Sequence, residues 1–331
     1  MLIDIKAAIE QRGKKTEGYL EVAKRFDGSV IGLPVIVVSG KTEGPVLVLD
    51  GCTHGDEHEG TEGIIRLVKD LDPKHLKGTV IAVPVVNVLA FEAGDRFAPS
   101  FYYGSDLNRA FPGKEDGRIT QRIAHVHIQE IVSRADYVIS FHGGTNRWSV
   151  LPGIVCQNTG NKELDSKSFD MARAFGTPVI WKGAAAFPGV LTDTTAKLGI
   201  PTAMPELGGQ AMRGHQWEEL VQICVRGTTN VMKALGMLQG DLEFVLDKMT
   251  VIEPPVYITN TKAGMFRANK QLGQMVKEGE VIGEIYDLFG KVVEKIKAPF
   301  DGLLYVIWSY PMVVTGNWVA LVGKVIEDIE V

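Results

Sequence analysis

VLVLDGCTHGDE (46–57) is an apolar run that ends abruptly in glycine, histidine and acidic residues. Its first four residues are all aliphatic, which is typical of a strand that is covered on both faces. His54 and Glu57 follow at the carboxyl end of this predicted strand, and both can bind a metal ion. In open α/β sheets, ligands bind at that end of the strands. The segment therefore predicts a functional site at one edge of a sheet.

Two later segments repeat this design. YVISFHGG (137–144) reaches His142, and AMPELGG (203–209) reaches Glu206 before its glycines. Because parallel strands end at the same edge of a sheet, residues that are far apart in sequence can meet there. The glycines that follow each side chain let the backbone and a substrate come close.

These side chains match one kind of metal chemistry. Two histidines and one carboxylate, here His54, His142 and Glu57, are the ligand set of a catalytic zinc ion that keeps a fourth position open for water. Zinc lowers the pKa of that water and polarises a carbonyl group. A further carboxylate must then move the proton, and Glu206 is the candidate.

The rest of the chain is typical of an α/β fold. From about residue 30 to 240, short apolar runs alternate with amphipathic stretches, which predicts a mostly parallel sheet with flanking helices. Predicted helices cover residues 57–71, 118–133, 164–175 and 217–237. After Gly240, short strands with glycine turns predict a small all-β domain that resembles a barrel-sandwich or lipoyl-type module. We place a catalytic domain at 1–248 and the C-terminal β domain at 249–331.

Composition narrows the function classes. The 331 residues are 45% hydrophobic and 23% charged, a balance found in ordinary globular proteins. The formal net charge of −5 argues against nucleic acid or an anionic membrane as a partner. No apolar run approaches a membrane span, and the N-terminus lacks a secretory pattern. Three cysteines cannot all pair, so we expect a reduced, cytoplasmic protein.

A fourth motif, DLNRAFPG (106–113), is loop-like and closes on Pro-Gly. The guanidinium fork of Arg109 suits a substrate carboxylate, and Asn108 beside it can add a hydrogen bond. The alternative is a structural turn in which Arg109 pairs with Asp106. Elsewhere, His125 and His127 lie on the predicted helix 118–133, where solvent exposure or helix packing accounts for them.

Together these motifs carry a family resemblance. In chain order they are HGDE (54–57), DLNRAFPG (106–113), SFHGG (140–144) and PELGG (205–209). They resemble the succinylglutamate desuccinylase/aspartoacylase family, a branch of the zinc carboxypeptidase fold. The resemblance implies one zinc ion per chain, bound by His54, Glu57 and His142.

The resemblance also implies the remaining roles. Glu206 would be the general base and acid, while Asn108 and Arg109 would hold the substrate carboxylate. Arg96, in AGDRFAPS, would polarise the scissile carbonyl. The implied activity is a zinc-dependent amidohydrolase that acts on carbon–nitrogen bonds other than peptide bonds. Its substrate would be a small N-acyl amino acid or related compound.

One departure from the family's best-known members bears on the substrate. Aspartoacylase-type enzymes carry a further substrate-binding arginine shortly before the catalytic glutamate. Here the stretch Ala184–Pro205 has no arginine, and its only basic residue is Lys197. The sequence therefore does not support recognition of a second carboxylate. It looks closer to bacterial relatives, some of which deacetylate N-acetyl-diaminobutyrate.

Several alternatives stay open from the sequence. The chain could be a metallocarboxypeptidase for short peptides, or a non-catalytic relative that kept the fold. His54–His58 also fits H-x-x-E-H, in which both histidines would bind zinc, but Gly55 interrupts the helix that this motif needs. Lys291 lies where carrier domains are modified, without their usual flanking residues. Homo-oligomerisation is compatible with the sequence, and Trp308 or Tyr310 could reach the pocket.

Overall fold

The computed structural model describes residues 1–184, 187–210 and 215–331. The α-helices within these ranges are α1 (Ile5–Glu10), α2 (Glu59–Asp70), α3 (Val88–Ala93), α4 (Ile119–Val126), α5 (Lys162–Phe175), α6 (Leu191–Lys197) and α7 (His215–Ala234). The strands that precede residue 240 are β1 (Lys14–Lys24), β2 (Val30–Ser39), β3 (Thr42–Asp50), β4 (Lys77–Val83), β5 (Tyr137–Ser140), β6 (His142–Gly143), β7 (Trp148–Gln157), β8 (Val179–Ala184) and β9 (Thr202–Gly209). The later strands are β10 (Lys248–Ile252), β11 (Val256–Thr259), β12 (Gly264–Ala268), β13 (Met275–Val276), β14 (Val281–Tyr286), β15 (Val292–Lys297), β16 (Gly302–Trp308), β17 (Met312–Val313), β18 (Trp318–Gly323) and β19 (Val325–Glu330).

Parallel strands form the centre of the main sheet. Strands β4, β3, β5 and β9 lie side by side, and each pair of neighbours is parallel. The short β6 continues the path of β5 and pairs with β9, which places His142 opposite Glu206. Antiparallel strands flank this centre: β2 and β1 beyond β4, and β7 beyond β9. The carboxyl ends of β3, β6 and β9 therefore meet at one edge, as the sequence predicts.

Helices cover both faces of this sheet, which explains why its central strands carry continuous apolar runs such as residues 46–49 of β3. Leu47 and Leu49 of β3 pack in one core with α2, α5 and α7, whereas Val48 between them packs in the opposite core with α1 and α4. Successive strand residues point to opposite faces. A strand with apolar neighbours on both sides cannot show the polar alternation of a half-exposed strand. The prediction of an α/β fold with flanking helices is confirmed.

The C-terminal part is built from strands. β15, β14, β12 and β17 form a separate antiparallel sheet, and a core of apolar residues such as Ile282 and Val319 lies beneath it. β16 pairs with β7, so the C-terminal strands also extend the main sheet. The predicted C-terminal β unit is confirmed, while its boundary at residues 248 and 249 remains a prediction.

Some elements differ from the sequence prediction. The sequence did not predict β1, because charged residues recur along this edge strand, which pairs along its length with β2 and at Tyr19 with Leu2. The predicted helix 118–133 is α4 followed by a π-helical turn at His127–Ile131 and a 3-10 turn at Val132–Arg134. No helix within the described part of the chain is long and apolar enough to cross a membrane.

Candidate metal and catalytic site

A tight turn between β3 and α2 places His54 beside Glu57. Cys52 adopts a positive φ of 49°, and its thiol donates a hydrogen bond to the Glu57 carbonyl oxygen at 3.0 Å. Gly55 packs against the backbone of Ala90, where an added Cβ would lie 2.1 Å from the carbonyl carbon. Only glycine fits this approach. Burial raises the pKa of Cys52 to about 12, so its thiol stays protonated and is a structural residue.

The three predicted metal ligands converge. Glu57 Oε1 lies 2.7 Å from Nδ1 of His54, and Glu57 Oε2 lies 2.9 Å from Nδ1 of His142. The two imidazole rings are 5.0 Å apart, centroid to centroid. All three side chains are buried, and one ligand atom from each lies within 4.8 Å of the others. The structure thus contains a buried His–Glu–His group that could hold a metal ion.

Electrostatics within this group fit a cation. Burial would raise the pKa of Glu57, but the neighbouring His54 and His142 hold it well below its usual range. Burial would lower the pKa of His54, but the charge of Glu57 and the hydrogen bonds to Asp106 and Glu57 together raise it. Buried charges of this kind are costly unless they are paired or coordinate a metal. Two imidazoles and a carboxylate that face one another are the donor set of a divalent ion such as zinc.

Asp106 is the residue of this site that the sequence analysis missed. Its Oδ1 lies 3.1 Å from Nε2 of His54, on the side of the ring away from Glu57. Burial would raise the pKa of Asp106, but its contacts with His54 and Arg96 lower it well below the usual range. A carboxylate that holds the second ring nitrogen of a histidine is the usual support of a metal ligand. The signal that could have found Asp106 is general: a histidine that binds a metal needs an acceptor for its second ring nitrogen.

Arg96 joins the same network. Its guanidinium lies 3.5 Å from Glu57 Oε1 and donates a hydrogen bond to Asp106 Oδ2 at 3.1 Å. The loop that carries Arg96 is tied to the site, because Asn146 Nδ2 donates to the Gly94 carbonyl at 3.0 Å. The structure therefore places Arg96 beside the metal-ligand group, and its role toward a substrate carbonyl stays a prediction.

Asn108 and Arg109 lie on a short 3-10 turn, Leu107–Arg109. The buried Asn108 side chain accepts a hydrogen bond from the Leu191 backbone N–H at 3.0 Å. Arg109 is exposed, and its guanidinium donates to the Asn108 carbonyl oxygen at 2.5 Å. The alternative in which Arg109 pairs with Asp106 is not seen, since Asp106 bonds instead with His54 and Arg96.

Glu206 lies on β9 next to the metal-ligand group. It pairs in register with His142 on one side and with Gly153 on the other. Its side chain is partly exposed. Burial of most of the side chain raises the pKa of Glu206 to about 8, which the charges of His142 and Arg96 partly oppose. A carboxyl group that titrates near neutral pH can both accept and donate a proton.

Two tyrosines from the C-terminal β unit lie within electrostatic range of Glu206. Tyr257 is 44% exposed, and its partial burial and the Glu206 charge both raise its pKa; its ring packs on Trp318 with centroids 4.6 Å apart. The buried Tyr305 is affected in the same way. Of the two residues suggested by the sequence, Trp308 is buried and bonded to the Met312 carbonyl, and Tyr310 is exposed.

The H-x-x-E-H alternative finds no support in the geometry. His58 Nε2 lies 3.0 Å from the Gly55 carbonyl oxygen, and the His58 ring contacts Phe91. His142, and not His58, completes the group with His54.

Comparison with known proteins identifies the family of this chain. The family model for the succinylglutamate desuccinylase/aspartoacylase catalytic domain matches residues 43–235. N-alpha-acetyl-L-2,4-diaminobutyric acid deacetylase of Halomonas elongata is 29% identical over 324 residues, which cover 94% of this chain and 92% of that protein.

Solved structures are similar over nearly the whole chain. The product-bound ectoine utilization protein EutE (DoeB) from Ruegeria pomeroyi has a TM-score of 0.87 at 26% identity and covers 95% of this chain and 96% of its own. A succinylglutamate desuccinylase/aspartoacylase from Rhodobacter sphaeroides has the same TM-score and identity, and covers 98% of both chains. The chain belongs to the succinylglutamate desuccinylase/aspartoacylase family, as its four motifs predict.

Proposed function

We propose that the protein is a zinc-dependent deacylase that hydrolyses the amide bond of a small N-acyl amino acid. The observation that carries this proposal is the buried group of His54, Glu57 and His142, with Glu206 beside it on β9. Family membership supports the reaction class. The donor set and its burial support zinc as the ion.

Zinc held by this group would supply Lewis acidity for both the attacking water and the amide carbonyl. His54, Glu57 and His142 would hold the ion, and a hydrogen bond from His54 Nε2–H to Asp106 Oδ1, 3.1 Å away, would fix the ring. Glu206 accepts the proton of the attacking water and then delivers it to the leaving amine. Its raised pKa suits this second role, because an amine leaving group needs an acid that still holds its proton near neutral pH.

Cationic and amide groups orient the substrate. Arg96 already lies 3.5 Å from Glu57, so its guanidinium can stabilise the negative charge that develops on the carbonyl oxygen. Arg109 binds the substrate carboxylate with its exposed guanidinium fork. Asn108 Oδ1 accepts from Leu191, which orients the side chain, and its Nδ2 amide group can donate to that carboxylate.

The substrate class follows from what the site offers. Since Ala184–Pro205 contains no arginine, we infer a substrate with one carboxylate. The Halomonas elongata relative acts, by its name, on N-alpha-acetyl-L-2,4-diaminobutyric acid, which has one carboxylate and a basic side chain. We take this compound as the first substrate to test. The three cysteines are unpaired and buried, which supports a reducing cytoplasmic location.

The test is a hydrolysis panel with zinc-loaded protein. The panel holds N-acetyl amino acids with neutral, acidic and basic side chains, and dipeptides as the peptidase control. We expect cleavage of the neutral or basic N-acetyl compounds, weak cleavage of N-acetylaspartate, and none of the dipeptides. Glu206→Gln should keep its zinc and lose turnover. Full activity of Glu206→Gln, or preferred cleavage of dipeptides, would contradict the proposal.

A further inference from the structure

A missing side chain in β7 creates a space next to Glu206. Gly153 of β7 lies directly opposite Glu206 of β9 in their antiparallel pair. Directly opposite residues project on the same face, with Cβ atoms about 4.5–5.5 Å apart. A Cβ on Gly153 would lie 2.5 Å from the hydroxyl oxygen of Tyr305. The Tyr305 hydroxyl thus fills the side-chain position beside Glu206, on the face that carries the Glu206 side chain.

This hydroxyl is buried and has no partner of its own. Tyr305 is 1% exposed, and among the described residues its hydroxyl makes no hydrogen bond. Buried polar groups are nearly always paired, so an unpaired one needs an explanation. Burial raises the pKa of the Tyr305 phenol, and the negative charge of Glu206 raises it further, so the phenol stays protonated. A protonated phenol is a donor, and a carboxylate is an acceptor.

The fold fixes the position of the Tyr305 ring. The ring makes an edge contact with Trp181 at a centroid distance of 6.2 Å. The next residue in β16, Val306, pairs with Val150 of β7. The C-terminal strands are thereby attached to the strand that borders Glu206. The Glu206 side chain is partly exposed, and the phenol oxygen lies at the side-chain position directly opposite it in the β7–β9 pair.

We propose that Tyr305 is a positioning residue for Glu206, and that its hydroxyl donates a hydrogen bond to the Glu206 carboxylate. The C-terminal β unit then contributes to the proton-transfer step, although it supplies none of the metal ligands. This inference rests on the proposed function, in which Glu206 is the base. This arrangement requires glycine at position 153, because any larger residue there would occupy the place of the Tyr305 hydroxyl.

The test compares Tyr305→Phe with a matched control. Tyr305→Phe removes one oxygen and keeps the ring. The control is Tyr286→Phe, which removes a hydroxyl that donates to Glu284 at 2.6 Å in the C-terminal β unit. With zinc-loaded protein, Tyr305→Phe should lower kcat about tenfold and leave KM and zinc content unchanged. Tyr286→Phe should leave kcat unchanged. A kcat for Tyr305→Phe within about twofold of the parent would overturn the proposal.

A second measurement does not depend on activity. Urea unfolding of the parent, Tyr305→Phe, Glu206→Ala and the double variant forms a double-mutant cycle. We expect Tyr305→Phe to lower the unfolding midpoint of the parent but not that of Glu206→Ala. Additive shifts would overturn the contact, even if kcat falls. If the parent cleaves no compound of the panel, the proposed function fails, and the cycle alone decides whether Tyr305 bonds to Glu206.

Discussion

Asp106→Asn should weaken zinc binding without removing a metal ligand. The carboxylate accepts at Oδ1 from the Asn108 backbone N–H at 2.9 Å and lies 3.1 Å from His54 Nε2. Its Oδ2 accepts from Arg96 at 3.1 Å. Asparagine keeps the shape and one acceptor oxygen, but it loses the negative charge and places an amide donor near another donor. Substitutions of such supporting carboxylates typically weaken metal affinity by about 10–100-fold, or about 1.4–2.7 kcal/mol.

The structure favours the upper part of that range. Without the charge of Asp106, the Arg96 guanidinium keeps Glu57 as its nearest carboxylate, 3.5 Å away. Arg96 would then compete with the cation for a ligand oxygen, in addition to the loss of support for His54. Both effects act on the bound state of the ion, so the change should be seen in zinc affinity more than in folding stability.

A competition titration with a chromophoric chelator at fixed pH measures this change. Asp136→Asn is the matched control, because Asp136 accepts from the Val46 backbone N–H at 2.7 Å at the opposite end of the sheet strands. The control should bind zinc as the parent does. If Asp106→Asn binds zinc within about twofold of the parent, or if both variants lose affinity equally, Asp106 does not support His54 as described.

Buried Asp50 and His127 lie 3.5 Å apart, and burial raises the pKa of Asp50 to about 6 and lowers that of His127 to about 3. Between about pH 4 and 6 the pair holds one proton in the folded state, on Asp50, and one in the unfolded state, on His127. Asp50→Asn removes the folded-state proton, so its free energy of unfolding should fall by about 1.4 kcal/mol for each pH unit that the pH drops. A pH dependence equal to that of the parent would count against this pairing. Arg109→Lys should raise KM about tenfold with a smaller change in kcat, because lysine lacks the two-pronged contact with a carboxylate; an unchanged KM in steady-state assays would remove Arg109 from the substrate site. Gly60→Ala should destabilise the fold by about 1–3 kcal/mol in urea unfolding, because the new Cβ would lie 2.1 Å from Cβ of Phe141, and an unchanged midpoint would refute this packing.

The strand ends of the site were predictable from the sequence. Mostly apolar runs lead to His54, His142 and Glu206 and place all three at the same edge of a parallel sheet, since such strands share one direction. The sharp turn at Gly55 likewise explains why His58 is excluded from the ligand group.

The supporting residues were not predictable in the same way. Asp106 belongs to a loop, and its contact with His54 depends on how that loop folds back over the sheet edge. Tyr305 lies in an ordinary apolar strand, so only the register of β7 with β9 places its hydroxyl near Glu206. His127 was assigned to helix packing or exposure, and it is buried, but its approach to Asp50 requires the helix to be placed against β3.

The most direct test of the account is the zinc content of the purified protein. The parent and His142→Ala are equilibrated with zinc, dialysed, and measured by elemental mass spectrometry alongside protein concentration. His54, Glu57 and His142 acting together predict one tightly held zinc ion per parent chain and almost none in the variant. A parent chain that retains no zinc, or a His142→Ala chain that retains as much as the parent, would contradict the claim that these three residues form one metal centre.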